Sequence, residues 1–178
     1  MKKIVLFFAA LLLFISNTSF AKPPETMLKV DLTKYIGTWY EIARYENWFE
    51  RDCSGTQAKY ELINENQISV TNICQLKDNS SKIKIAQGKG YIDDKVSNAK
   101  LKVVFPAFLP AIFGGDYWIL YVDSEYQTAL IGDSQRKYFW ILSRNKTISA
   151  DSYEKLILIA TEKGFVSKKI IKTPVWKN

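Results

Sequence analysis

Gly37-Thr38-Trp39-Tyr40-Glu41-Ile42-Ala43-Arg44-Tyr45 is a run of aromatic and branched residues opened by a glycine, and Tyr138-Phe139-Trp140-Ile141-Leu142-Ser143-Arg144 is its distant counterpart. Both compositions favour strand, because aromatic and β-branched side chains fit a pleated, half-buried surface. The first run opens the β-rich part of the chain; the second closes it just before the one good helix signal. Laid side by side, they offer Trp39 and Arg144 as a stack of an electron-rich ring face on a planar, weakly hydrated cation. The alternative is a core Trp and an unrelated surface Arg.

Between the two runs, turn residues separate further strand candidates, giving eight near 38–47, 54–63, 67–75, 82–92, 99–105, 116–123, 127–133 and 137–144. Connections between neighbours are mostly short, which implies an antiparallel up-and-down meander. Eight strands suffice to close a barrel around one small ligand. Asp31 to Ile36 reads as a single helical turn before Gly37. Ser149 caps a helix from about Ala150 to Lys163 whose stripe is Tyr153, Leu156, Ile157 and Ala160, and Gly164 stops it. Phe165 folds back over its end, and Ile170-Ile171 adds a short final strand.

The chain from about Val30 to Trp176 resembles the lipocalins, and within them the bacterial outer-membrane, plant temperature-induced and apolipoprotein D branch. Gly37-Thr38-Trp39-Tyr40-Glu41 is similar to the opening Gly-x-Trp motif of that family. Gly115 to Tyr121 and Trp140-Ile141-Leu142-Ser143-Arg144 look like its later blocks. One Gly-x-Trp alone is a weak signal, but three blocks in order followed by a helix are specific. The resemblance implies an all-β, eight-stranded antiparallel up-and-down barrel, spanning about 37–144, with one C-terminal α-helix packed outside.

The chain has 178 residues, 47% of them hydrophobic and 14% aromatic, which is enough for one domain with a core. Lys2 and Lys3, the apolar run Ile4 to Ile15, and the small residues of Ser19-Phe20-Ala21 read as a secretory signal cleaved after Ala21. The domain is then 22–178, exported to the periplasm or the medium. No Cys follows the apolar run, so the lipid-anchoring cysteine of the bacterial lipoproteins is missing and a soluble mature protein is expected. Without the signal, 23 basic face 18 acidic side chains, a net +5. Basic runs are lacking, so no nucleic-acid partner is expected. The charge is compatible with transient contact with anionic lipid head groups. Cys53 and Cys74 flank a hairpin centred near Ile63-Asn64, and export favours a disulfide between them as opposed positions.

Topology supplies directions. If Trp39 marks the closed floor with Gly37, the eighth strand descends and returns Arg144 to it, while Cys53 and Cys74 reach the mouth. Side chains alternate along a strand. With Trp39 inward, Glu41 and Ala43 follow. The resemblance makes Trp140 a pocket aromatic, bringing Tyr138 and Leu142 with it, and similar matching gives Ala58, Tyr60 and Leu62, then Tyr117 and Ile119. A bulge would flip any of these locally. The expected pocket is therefore Ala43, Ala58, Tyr60, Tyr117, Ile119, Tyr138 and Trp140.

The mouth adds Phe49, Arg51, Arg136 and Lys137 as head-group contacts. Its loop Phe105 to Phe113, carrying Phe108, is unusually apolar. It reads as a lid or membrane-touching rim, or else as a flap folded over its own barrel. The chain has no His, which removes the usual general base, and two Cys make a poor metal set. No enzyme and no cofactor is expected, although a buried Glu41 would have a raised pKa. The expected function is binding of a fatty acid, lysophospholipid or similar hydrophobe for storage, transport or envelope maintenance. Alternatives are a protein-partner or membrane-surface module acting through the mouth loop, and a lipocalin-fold enzyme.

Overall fold

The computed structural model describes residues 22–177, and the expected signal segment 1–21 lies outside them. Eight antiparallel strands follow one another around a single sheet: β1 (Gly37–Tyr45), β2 (Cys53–Asn64), β3 (Gln67–Leu76), β4 (Ile83–Ile92), β5 (Lys100–Val104), β6 (Gly115–Val122), β7 (Thr128–Gly132) and β8 (Phe139–Ser143). Because β1 pairs with both β2 and β8, the sheet closes into a barrel. All strand ends fall within two residues of those expected from the turn signals. A ninth strand, β9 (Ile170–Lys172), pairs with the mouth half of β1, whose ladder to β2 covers only Gly37 to Tyr40.

Two apolar clusters share the wall. The inner one contains Trp39, Ala58, Tyr60, Ile68, Val70, Leu101, Ile119, Ile131 and Leu142. The outer one seats the helix α2 (Ala150–Glu162), placing Leu156, Ala160 and Phe165 on Ala43, Tyr45, Leu120, Leu130, Phe139 and Ile141. Ser149 caps α2 by accepting the Ser152 N–H at 3.1 Å. Gly164 then leaves the helix at φ +85°, a conformation that costs glycine little. At Gly132 a Cβ would stand 2.6 Å from the Phe165 ring, so the barrel wall must be bare there for the chain to fold back.

The floor is built by a short helix, α1 (Leu32–Tyr35), with Asp31 accepting the Thr33 N–H at 3.0 Å. Leu32 and Tyr35 plug the barrel from below together with Val30. A helix this short leaves its last carbonyls without partners in the helix. Arg144 satisfies them: its Nη2 donates to the carbonyls of Lys34, Tyr35 and Ile36 at 2.8, 3.0 and 2.8 Å, and its Nη1 to Thr38 O at 2.8 Å. Its guanidinium carbon lies 3.8 Å from the centroid of the Trp39 ring. Trp39 is fully buried and donates Nε1–H to Tyr35 O at 2.8 Å.

Cys53 and Cys74 are bonded at the mouth with their Cα atoms 5.4 Å apart. They are diagonal rather than opposed, since Cys74 faces Thr56 and Cys53 faces Leu76 across a register shift. The bridge closes a loop with a sequence separation of 21. Replacing both cysteines by Ser is expected to cost about 2–4 kcal/mol, read as a lower urea midpoint against the oxidised protein.

Candidate functional site

The inner surface changes character from floor to mouth. Just above the floor three phenols form a buried chain: Tyr35 and Tyr117 share a hydrogen bond of 2.7 Å, and Tyr117 donates to Tyr60 at 2.9 Å. Burial raises all three pKa values, so the chain stays neutral. Ala58 and Ile119 line the same inner face, buried. Near the mouth Tyr138 and Trp140 stack at 5.9 Å, with Phe49 5.8 Å from the first ring and 6.4 Å from the second. Tyr138 and Trp140 are half-buried and Phe49 is exposed, so ring faces remain open toward the mouth.

Two expected members of the site lie elsewhere. Ala43 is on the outer face beneath α2, because the β1–β8 register shifts between Glu41 and Ala43 and the extra residue flips the alternation. Arg136 is not a rim cation. It sits at φ +57°, and its Nε donates to Lys163 O at the end of α2 at 2.8 Å, outside the wall. Leu62 is likewise 41% exposed beyond the packed floor. Arg51 is exposed at the mouth.

The apolar loop divides between the two faces of the wall: a Cβ at Gly88, on the inner face it shares with Gly90, would stand 2.6 Å from the Phe105 ring. Tyr91 OH on the outer side of β4 donates to Leu109 O at 3.2 Å, and Gly114 lies against the side chains of Lys102 and Val104. Past Phe105 the loop thus hooks over the outer wall at β5, leaving Phe108, Ile112 and Phe113 82%, 85% and 69% exposed. Two grooves, of about 700 and 480 Å³, also lie outside the barrel. One runs between the 25–29 lead and α2, and the other lies under the floor beside Leu62 and Tyr126.

The same bulge that ejects Ala43 turns Arg44 inward, where a buried polar cluster assembles. Arg44 Nη1 donates to Glu41 Oε1 at 2.6 Å and to Thr173 Oγ1 at 3.1 Å, and its Nη2 donates to Glu50 O at 3.1 Å. Its Nε stands 3.8 Å from Glu50 Oε2. That oxygen also accepts from Asn47 Nδ2, and from Trp140 Nε1 at 3.1 Å. Thr173, just past β9, donates to Glu41 Oε1. Burial, then the nearby Glu50, push the Glu41 pKa up to about 8 against the pull of Arg44 and Thr173.

Strict alternation put Arg44 on the outside, and alternation says nothing of Glu50 or Thr173, which lie off the barrel strands. The one usable signal was Asn47-x-x-Glu50, a turn in which Asn47 Oδ1 accepts the Glu50 N–H at 2.9 Å.

Comparison with known proteins agrees with this geometry. The family described as "Lipocalin-like domain" matches residues 30–175. Temperature-induced lipocalin-1 of Arabidopsis thaliana is 39% identical over 158 residues, covering 86% of this chain and 83% of that protein. Outer membrane lipoprotein Blc of Citrobacter freundii is 40% identical over 152 residues, covering 84% and 83%. Among solved structures, lobster apocrustacyanin A1 superposes with a TM-score of 0.64 over 88% of this chain and 92% of its own, at 16% identity.

Proposed function

The chain belongs to the lipocalin family, whose members bind small hydrophobic ligands, and on that premise we propose that it is an exported carrier of a fatty acid, lysophospholipid or similar lipid held inside the barrel. Storage, transport or envelope maintenance are the roles such a carrier serves. The observation that carries the reading is the half-open aromatic wall of Phe49, Tyr138 and Trp140 above a buried apolar interior. An acyl chain laid against those rings loses apolar surface worth about 0.8 kcal/mol per methylene before ordering costs. Relatives that include a protein named outer membrane lipoprotein support the envelope, or the medium beyond it, as the place of action.

Native mass spectrometry of the protein purified from its own compartment tests this. The expected result is a mature chain starting at Lys22 with a bound acyl lipid that is lost in Trp140→Ala and in Ala58→Trp. A folded protein that arrives empty and ignores added dodecanoic acid and lysophosphatidylcholine would overturn it. The exposed Phe108, Ile112 and Phe113 favour a second role, docking of the mouth on a membrane surface. Co-sedimentation with anionic vesicles should fall when all three become Ser.

A further inference from the structure

Three buried polar atoms have no hydrogen-bond partner among the described residues: Glu41 Oε2, Arg44 Nε and Thr56 Oγ1. Their residues are 5%, 4% and 6% exposed. Register places them together. Trp39 and Ala58 face each other on the inner side of β1 and β2, so Glu41 and Thr56 would form the next inward pair, but the ladder ends at Tyr40–Gln57. Arg44 is bonded to Glu41 at this opening. Buried polar groups in native proteins are almost always paired, so an acid and a hydroxyl without partners at neighbouring inward positions, beside an Arg44 Nε that reaches Glu50 Oε2 only at 3.8 Å, mark a seat for a polar group brought from outside.

Donors select the group: with its proton on, Glu41 offers an O–H beside the Arg44 N–H and the Thr56 hydroxyl, a set that takes an acceptor. Glu41 from β1 and Glu50 from the β1–β2 loop face a single cation, Arg44, while β2 contributes the neutral phenol of Tyr60 and β8 presents Trp140 and Leu142. A second full negative charge beside Glu41 would be costly, but two carboxyls sharing one proton are stable together. Direction follows from packing: the fully buried Trp39 is one inward position closer to the floor, so an attached chain can leave only toward Phe49, Tyr138 and Trp140.

Resting on the carrier reading above, we propose that the ligand is a free carboxylic acid amphiphile that enters head first, its carboxyl held by Glu41 Oε2, Arg44 Nε and Thr56 Oγ1 and sharing one proton with Glu41. With Oε1 of Glu41 already accepting from Arg44 and Thr173, the proton belongs on Oε2, facing the ligand. The Glu41 pKa of about 8 keeps that proton in place at neutral pH.

The test compares dodecanoic acid with its methyl ester by tryptophan fluorescence titration between pH 6.5 and 9.5, using wild type, Glu41→Gln and Thr56→Val, with near-ultraviolet circular dichroism to confirm folding. Wild type should prefer the acid at least about tenfold at pH 7. Above the Glu41 pKa the complex must take up a proton, so acid affinity should fall by up to about tenfold per pH unit while the ester stays flat. Glu41→Gln, a permanent mimic of the protonated acid, should bind the acid at pH 7 and lose that fall. Thr56→Val should shrink the acid preference several-fold. Acid and ester bound equally by wild type would overturn the proposal while leaving the carrier intact, as would a fall with pH that persists in Glu41→Gln. If neither amphiphile binds the folded protein at any pH, the carrier reading fails, and this seat with it.

Discussion

Trp39→Ala is expected to destabilise the protein by about 3–5 kcal/mol, because the ring is fully buried and its removal leaves a cavity between the floor helix and β1 and β2. For a chain of this size that is a fall in Tm on the order of 10 °C by differential scanning calorimetry. Two further variants separate the contributions. Trp39→Phe keeps an apolar ring but cannot donate to Tyr35 O, so it should lose clearly less than the alanine variant. Arg144→Lys keeps the charge but not the fork that serves five backbone carbonyls, and it should loosen α1 first. A double-mutant cycle on Trp39 and Arg144 should return a coupling of about 0.5–2 kcal/mol. A coupling of zero would mean that the 3.8 Å stack is mere proximity.

That floor could be anticipated from the sequence because two independent rules agree on it. The Gly-x-Trp resemblance sets Trp39 inward at the closed end, and the odd number of reversals between eight strands returns Arg144 to the end where Trp39 began. The eight strands were legible for a similar reason: turn residues punctuate nearly every one, and a closed meander leaves little freedom in their order. Ala43 shows where this stops. An alternation rule survives only until an extra residue enters, and nothing in Tyr40-Glu41-Ile42-Ala43-Arg44 marks where the β1–β8 register slips. One slip exchanged an alanine for an arginine on the inner wall, and the most polar part of the interior went unseen with it. Glu50 and Thr173 were out of reach because contacts made by loops and tails depend on where the closed barrel carries them. Arg136 failed differently, since a cation near the rim reads as solvated until the carbonyl end of α2 is known to lie beside it.

Arg44→Met is expected to cost about 3–5 kcal/mol at pH 7, since it preserves much of the side-chain volume while leaving Glu50 buried without its cation and Glu41 Oε1 without its Arg44 donor. The pH dependence identifies the cause. A buried acid whose folded pKa is raised from 4.5 to about 8 binds more protons folded than unfolded across that window, so its contribution is present below pH 4.5 and is lost as pH rises to about 8. Above that, Glu41 is ionised in both states of the wild type and its contribution stops changing. Removing Arg44 removes both its Coulombic pull and its hydrogen bond, which moves the folded Glu41 pKa higher still. The variant therefore keeps losing stability past pH 8, and its deficit against wild type should widen by up to about 1.4 kcal/mol per pH unit, measured by urea unfolding at pH 7, 8 and 9. Adding Glu41→Gln to Arg44→Met deletes the titrating group and should abolish the widening while leaving much of the loss at pH 7. A deficit independent of pH in Arg44→Met alone would place the loss in packing of the long side chain rather than in the charges it balances.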